Sequence, residues 1–132
     1  MGVLLSVNST RRELEKLLAT GKYGIPSSVY ELRYVKINVT IDKHSYEIWV
    51  YMGEERDYLL LPGVFCSCKD FILRTILNKA SSYCKHQLGV YVALSRKKYI
   101  ELNVYPEELY GIIQDILERG FSIHLRRKLT KP

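Results

Sequence analysis

All three cysteines of the chain and one of its three histidines fall between residues 66 and 86. They form two pairs, Cys66-Ser67-Cys68 and Cys84-Lys85-His86, with fifteen residues between the pairs. Thiolate and imidazole are the donors that zinc takes in structural sites, four of them in a tetrahedron, with sulfur at about 2.3 Å and nitrogen at about 2.0–2.1 Å. Cys66, Cys68, Cys84 and His86 supply that set. The spacing predicts a single Cys3His zinc site holding one structural Zn2+ ion. Other fates of cysteine fit the pattern less well. A thiol acting as a small buried apolar group does not explain two i, i+2 pairs completed by a histidine. A disulfide leaves one cysteine over, and no C-x-x-C redox motif is present.

The same donors argue against an active site. Catalytic zinc keeps one position open for water, whereas four protein ligands close the shell. The H-E-x-x-H and P-C-x-x-C motifs and the phosphate-binding glycine loop do not occur in the sequence. His44, expected in a loop, and His124, expected in a strand, have no evident catalytic partner. Asp70 suits a helix start or support of a ligand better than a general base. The chain is therefore expected not to be an enzyme.

Side chains at i and i+2 share a face in extended chain but diverge on a helix. Neither ligand pair should sit mid-helix. Cys66 and Cys68 are expected in a loop leaving a strand, and Cys84 and His86 at the start of a helix running to about Lys98. The flanking pattern agrees. An extended arm over residues 1–8 is expected to lead into a helix over 10–20, opened by a Thr10/Glu13 capping box and stopped at Gly21. From Val29 to Ile41 apolar residues alternate, with Val35, Ile37, Val39 and Ile41 on one face. A hairpin loop at 42–45, a strand over 46–52, a turn at 53–56 and a strand over 58–61 complete an antiparallel meander feeding the first pair. Trp49 is expected in the core. Tyr30, Tyr34, Tyr46 and Tyr51 read first as cross-strand partners, with base stacking as the alternative. A helical stretch is expected over 69–77. After the second pair come a strand over 100–104, a helix from Pro106 to Gly120 with a 109/112/113/116/117 apolar stripe, and a short strand over 121–125. The fold class is thus α+β, an antiparallel β-meander followed by helices and stapled by one zinc site, in a single domain over 1–132.

The C-x-C…C-x-H pattern at Cys66, Cys68, Cys84 and His86 resembles the signature of the SWIM-type zinc finger. Among SWIM proteins the small stand-alone Sws/Shu-type recombination proteins are most similar. That resemblance implies a hairpin before the first pair and a helix after the second. It also implies a non-enzymatic adaptor that binds a RecA-like recombinase paralogue and assists homologous recombination and DNA repair. The extended motif carries alanine three residues after the histidine, where this chain has Gly89.

A net charge of +6 suits contact with nucleic acid or an acidic protein surface. Two basic groups could reach phosphates. Arg96, Lys97 and Lys98 close the helix after the second pair, and Arg126, Arg127, Lys128 and Lys131 form a tail expected to be a mobile electrostatic arm. They motivate the alternative of direct DNA or RNA binding, single-stranded DNA included, without an obligate protein partner. The absence of a long apolar run or a secretory leader predicts no membrane partner and a cytoplasmic location, nuclear if the cell is eukaryotic.

Overall fold

Alternation of Val35, Ile37 and Val39 with Tyr34, Lys36 and Asn38 produces the central strand, β1 (Tyr34–Ile41). β2 (His44–Met52) returns antiparallel beside it across a two-residue turn. Both turn residues, Asp42 and Lys43, have positive φ of 49° and 69°, the handedness that matches strand twist in tight hairpins. β3 (Asp57–Leu61) and the two-residue β4 (Phe65–Cys66) continue the meander. β5 (Ile100–Val104) then adds in parallel on the far side of β1, giving the order β4-β3-β2-β1-β5. The computed structural model describes residues 2–130, with side chains from residue 10 onward.

Helices cover both faces of this sheet. α1 (Gly2–Thr20), the single turn α2 (Ser27–Tyr30), a π-helix (Phe71–Leu77) and α3 (Lys85–Arg96) lie with one face. There Tyr34, Trp49, Leu60 and Cys66 of the strands pack with Val29, Phe71, Val90 and Ala93. α4 (Pro106–Arg119) and α5 (Ile123–Thr130) cover the other. Val35, Ile37, Val39 and Val50 meet Val104, Ile112, Ile116 and Leu125 there. The fold is α+β, built on a mostly antiparallel five-stranded sheet.

Several local expectations are corrected. The first helix starts at Gly2, so residues 2–8 are not an extended arm. Thr10 is consequently inside α1 and does not cap it; its buried hydroxyl donates to Ser82 O at 2.5 Å. The strand expected from Val29 begins at Tyr34, because Pro26 opens a helical turn and Leu32 takes a positive φ of 56°. Residues 121–125 are not a strand. Ser122 Oγ accepts the Leu125 N–H at 3.1 Å, an N-cap bond that starts α5 and outweighs a three-residue alternation. His124 therefore lies on a helix, and residues 126–130 belong to that helix instead of a free arm.

Candidate metal centre

The chain delivers the first ligand pair along the sheet edge. Cys66 closes β4, paired with Leu60. Ser67 extends the ladder one step: its N–H donates to Leu59 O and its Oγ accepts the Leu59 N–H, both at 2.9 Å. Cys68 follows, and its Sγ accepts the Phe71 N–H at 3.3 Å. The second pair opens α3. Cys84 is the N-cap, extended at φ −101° and ψ 172°, and His86 sits in the first turn. All four side chains are buried, with exposures of 0, 4, 1 and 5% for Cys66, Cys68, Cys84 and His86. Their donor atoms all lie within 4.8 Å of one another. His86 Nδ1 is 3.7 Å from Cys66 Sγ and 4.0 Å from Cys84 Sγ. Donors of a tetrahedral site with these bond lengths stand roughly 3.5–3.8 Å apart. The Cys3His group fits one metal ion.

Its electrostatics fit as well. Three thiols sharing one buried space cannot all ionise unaided. Hydrogen bonds from Cys66 and Cys84 hold the Cys68 thiol well below the usual range. The hydrogen bond to Cys68 pushes Cys66 up, with Cys84 and burial adding to it. The hydrogen bond with Cys66 lowers Cys84, but that with Cys68 and burial outweigh it and leave Cys84 at about 12. A bound cation removes the conflict by stabilising every thiolate at once.

Neighbouring side chains hold the ligands in place. Gln87, directly after His86, is fully buried. Its Oε1 accepts the Gly63 N–H at 2.8 Å, and its Nε2 donates to Leu61 O at 3.1 Å and Phe65 O at 2.8 Å. That amide ties α3 to the β3–β4 turn that leads into the first pair. Tyr51 and Tyr58, paired across β2 and β3, place their rings 4.4 and 4.9 Å from the His86 ring. Sequence reasoning singled out neither the Gln87 clamp nor the aromatic support. The signal for the latter was present in the Tyr51/Tyr58 register. An open cleft of about 900 Å³ adjoins the cluster, touching Cys68, Cys84 and His86.

The basic residues proposed for nucleic acid are not brought together. Arg96, Lys97 and Lys98 are exposed at the far end of α3, about 18 Å of helix away from the ligands. Arg126, Arg127 and Lys128 are on α5, across the sheet. Arg126 Nη2 donates to the buried Asp57 carboxylate at 2.6 Å and to Gly53 O at 3.0 Å. Lys128 Nζ reaches Glu108 Oε2 at 2.5 Å. Arg127 is exposed. Lys131 lies outside the described residues. Asp70 precedes the π-helix and pairs with Arg74 at 3.4 Å.

No family model matches the chain, and no curated protein or solved structure matches it. What the pattern at 66–86 forms is a buried Cys3His cluster consistent with a zinc site. Glycine at position 89 has a local cause. A Cβ there would fall 1.7 Å from Tyr34 Oη and 2.5 Å from its Cζ, and Tyr34 is itself 1% exposed. Glycine lets the tyrosine fill this space between strand and helix. No helix of the described residues is long and apolar enough to cross a membrane.

Proposed function

We propose that the protein is a non-enzymatic, zinc-stapled adaptor of the SWIM type. In this reading it binds a RecA-like recombinase paralogue and assists homologous recombination and DNA repair. The observation that carries the reading is the set of four buried donors within 4.8 Å, drawn from β4, the residues after it and the start of α3. Three sulfurs and one imidazole gathered within reach of one ion favour zinc over the harder divalent cations. Four protein ligands leave no position for a reacting water, which supports a structural ion. The recombinase partner follows from the resemblance of the ligand pattern to SWIM fingers.

A second reading is direct binding of DNA or RNA. It draws on Arg96, Lys97 and Lys98, three consecutive exposed cations at one helix end. Affinity capture from native cell extract, with and without nuclease, separates the two. The adaptor predicts an ATPase of recombinase type that survives nuclease and one zinc per chain by elemental analysis. Capture abolished by nuclease, together with salt-sensitive binding of single-stranded DNA by the isolated protein, supports the second.

A further inference from the structure

The open cleft beside the Cys3His cluster has a volume of about 900 Å³. Its two walls carry opposite charge. One wall is the β2–β3 turn, where Glu54 and Glu55 are exposed, Glu54 with Arg33 Nη2 4.0 Å from its Oε1. Arg56 of the same turn also lines the cleft, and its Nη1 reaches the end of α4, 3.1 Å from where a Gly120 Cβ would stand. The other wall comes from the segment after Cys68 and the start of α3. It presents Lys69, Arg74 and Lys85, of which Arg74 is paired with Asp70 at 3.4 Å. Lys69 and Lys85 remain as exposed cations. Between the walls lie the half-buried rings of Tyr51, Tyr58 and Tyr83 and the side chain of Leu88.

We infer that this cleft is where the protein grips a protein partner. The occupant is an extended partner segment in which an apolar or aromatic side chain lies between a basic and an acidic residue. The apolar group rests on the tyrosines, the basic residue faces Glu54 and Glu55, and the acidic residue faces Lys69 and Lys85. Tyrosine-lined pockets that receive one anchoring side chain carry much of the energy of protein interfaces. Opposed charges on the rim fix the direction in which the segment lies. A nucleic-acid strand suits the cleft poorly, because carboxylates line one wall and would repel its phosphates. The inference rests on the adaptor reading and deepens it.

The test uses the nuclease-resistant complex captured by the full chain. Two double variants reverse the walls separately, Glu54→Lys with Glu55→Lys, and Lys69→Glu with Lys85→Glu. All four side chains are exposed, so near-ultraviolet circular dichroism and zinc content should match the parent. Each variant should weaken the complex by about tenfold, and more at low salt. Hydroxyl-radical footprinting should show Tyr58 and Tyr83 protected in the complex. A complex of parental affinity in both variants, with the two tyrosines unprotected, overturns the cleft and leaves the adaptor reading standing. The absence of any nuclease-resistant complex overturns both. Oligothymidylate binding that the lysine reversal abolishes and the glutamate reversal strengthens would overturn the protein occupant in favour of nucleic acid.

Discussion

The two faces of the sheet are held by different physics. On the α4 face, apolar side chains recur at helical and strand periods and meet as one layer, with Ile112, Ile116 and Leu125 against Val35 and Ile37. α4 begins at Pro106, with the Tyr105 N–H donating to Glu108, and ends at Gly120 with φ 86°. Such a helix folds by packing and capping alone. The cluster face sets α1 and α3 beside pieces too short for that: a two-residue strand, one helical turn and a seven-residue π-helix. It also buries polar atoms, Trp49 Nε1 and Thr75 Oγ1, that find no protein partner among the described residues. The Cys3His group and the Gln87 amide add long-range ties between these short pieces to the apolar core that lies beneath them. Where elements are too small to bury their own ordering cost, a metal can do so.

That contrast breaks most visibly if the metal is taken away. Structural zinc contributes roughly 10–16 kcal/mol in small zinc-finger peptides, so loss of the proposed ion here should exceed any packing change. Cys68→Ser or a strong chelator is expected to unfold or aggregate the protein. Early in chelation, amides of β4 and α3 should lose hydrogen-exchange protection before those of α4. Trp49 lies in the cluster-side core, so its near-ultraviolet signal should collapse at the same stage. An intact near-ultraviolet spectrum after metal removal would show that both faces stand on packing.

The next effect lies on the α4 side and concerns its buried charge. The Asp57 carboxylate is fully buried, accepts the Ser122 N–H at 2.9 Å and pairs with Arg126 at 2.6 Å. Asp57→Ala strands both partners. Breaking a buried pair costs about 3–5 kcal/mol, and the lower end applies because Arg126 is a third exposed. Urea unfolding at neutral pH measures this. The zinc content should stay unchanged, which sharpens the separation of the two faces. Loss of metal in this variant would instead couple them.

A smaller change probes packing on the cluster face. Gly89→Ala places a methyl group 1.7 Å from Tyr34 Oη, so strand and helix must separate. Overpacking of this kind costs about 1–3 kcal/mol. In a Tyr34→Phe background the cost should shrink but not vanish, since the ring carbon Cζ also stands 2.5 Å away. A double-mutant cycle by denaturant melts gives the coupling. Full additivity would refute the Tyr34 account of the glycine.

These particulars show what the sequence made legible. The ligand set was readable because its chemistry is carried by residue type and spacing, and the geometry of Cys66, Cys68, Cys84 and His86 follows the i, i+2 argument directly. β5, α4 and its glycine stop were readable because period and caps point the same way. The misreadings fall where a weak local pattern met a stronger bond elsewhere. Thr10 reads as a cap, yet its hydroxyl is taken by Ser82, distant in sequence. Phe121, Ile123 and Leu125 alternate, yet Ser122 caps a helix. The 126–128 run reads as a free cationic arm, yet Asp57 and Glu108 take two of its charges. Partners from remote segments leave no periodic trace.

The Glu108 pair offers the mildest test and separates the faces by pH. Lys128 at 2.5 Å, the Tyr105 N–H and His124 at 3.2 Å hold the Glu108 carboxyl down to about 2, from an ordinary value of 4.5. A carboxyl depressed in the folded state adds stability above its unfolded value, and that stability is lost as pH falls through the folded one. Glu108→Gln keeps an acceptor for the Tyr105 N–H but drops the charge. The variant should therefore melt below the parent at neutral pH, and the gap should close between pH 4.5 and about 2. Acid also protonates thiolates and strips the metal, but that loss is common to both proteins. It cancels in their difference at each pH, provided the α4 face and the cluster face act independently. A gap that instead widens on acidification, together with earlier metal release in the variant, would show that the α4–α5 contact supports the cluster across the sheet.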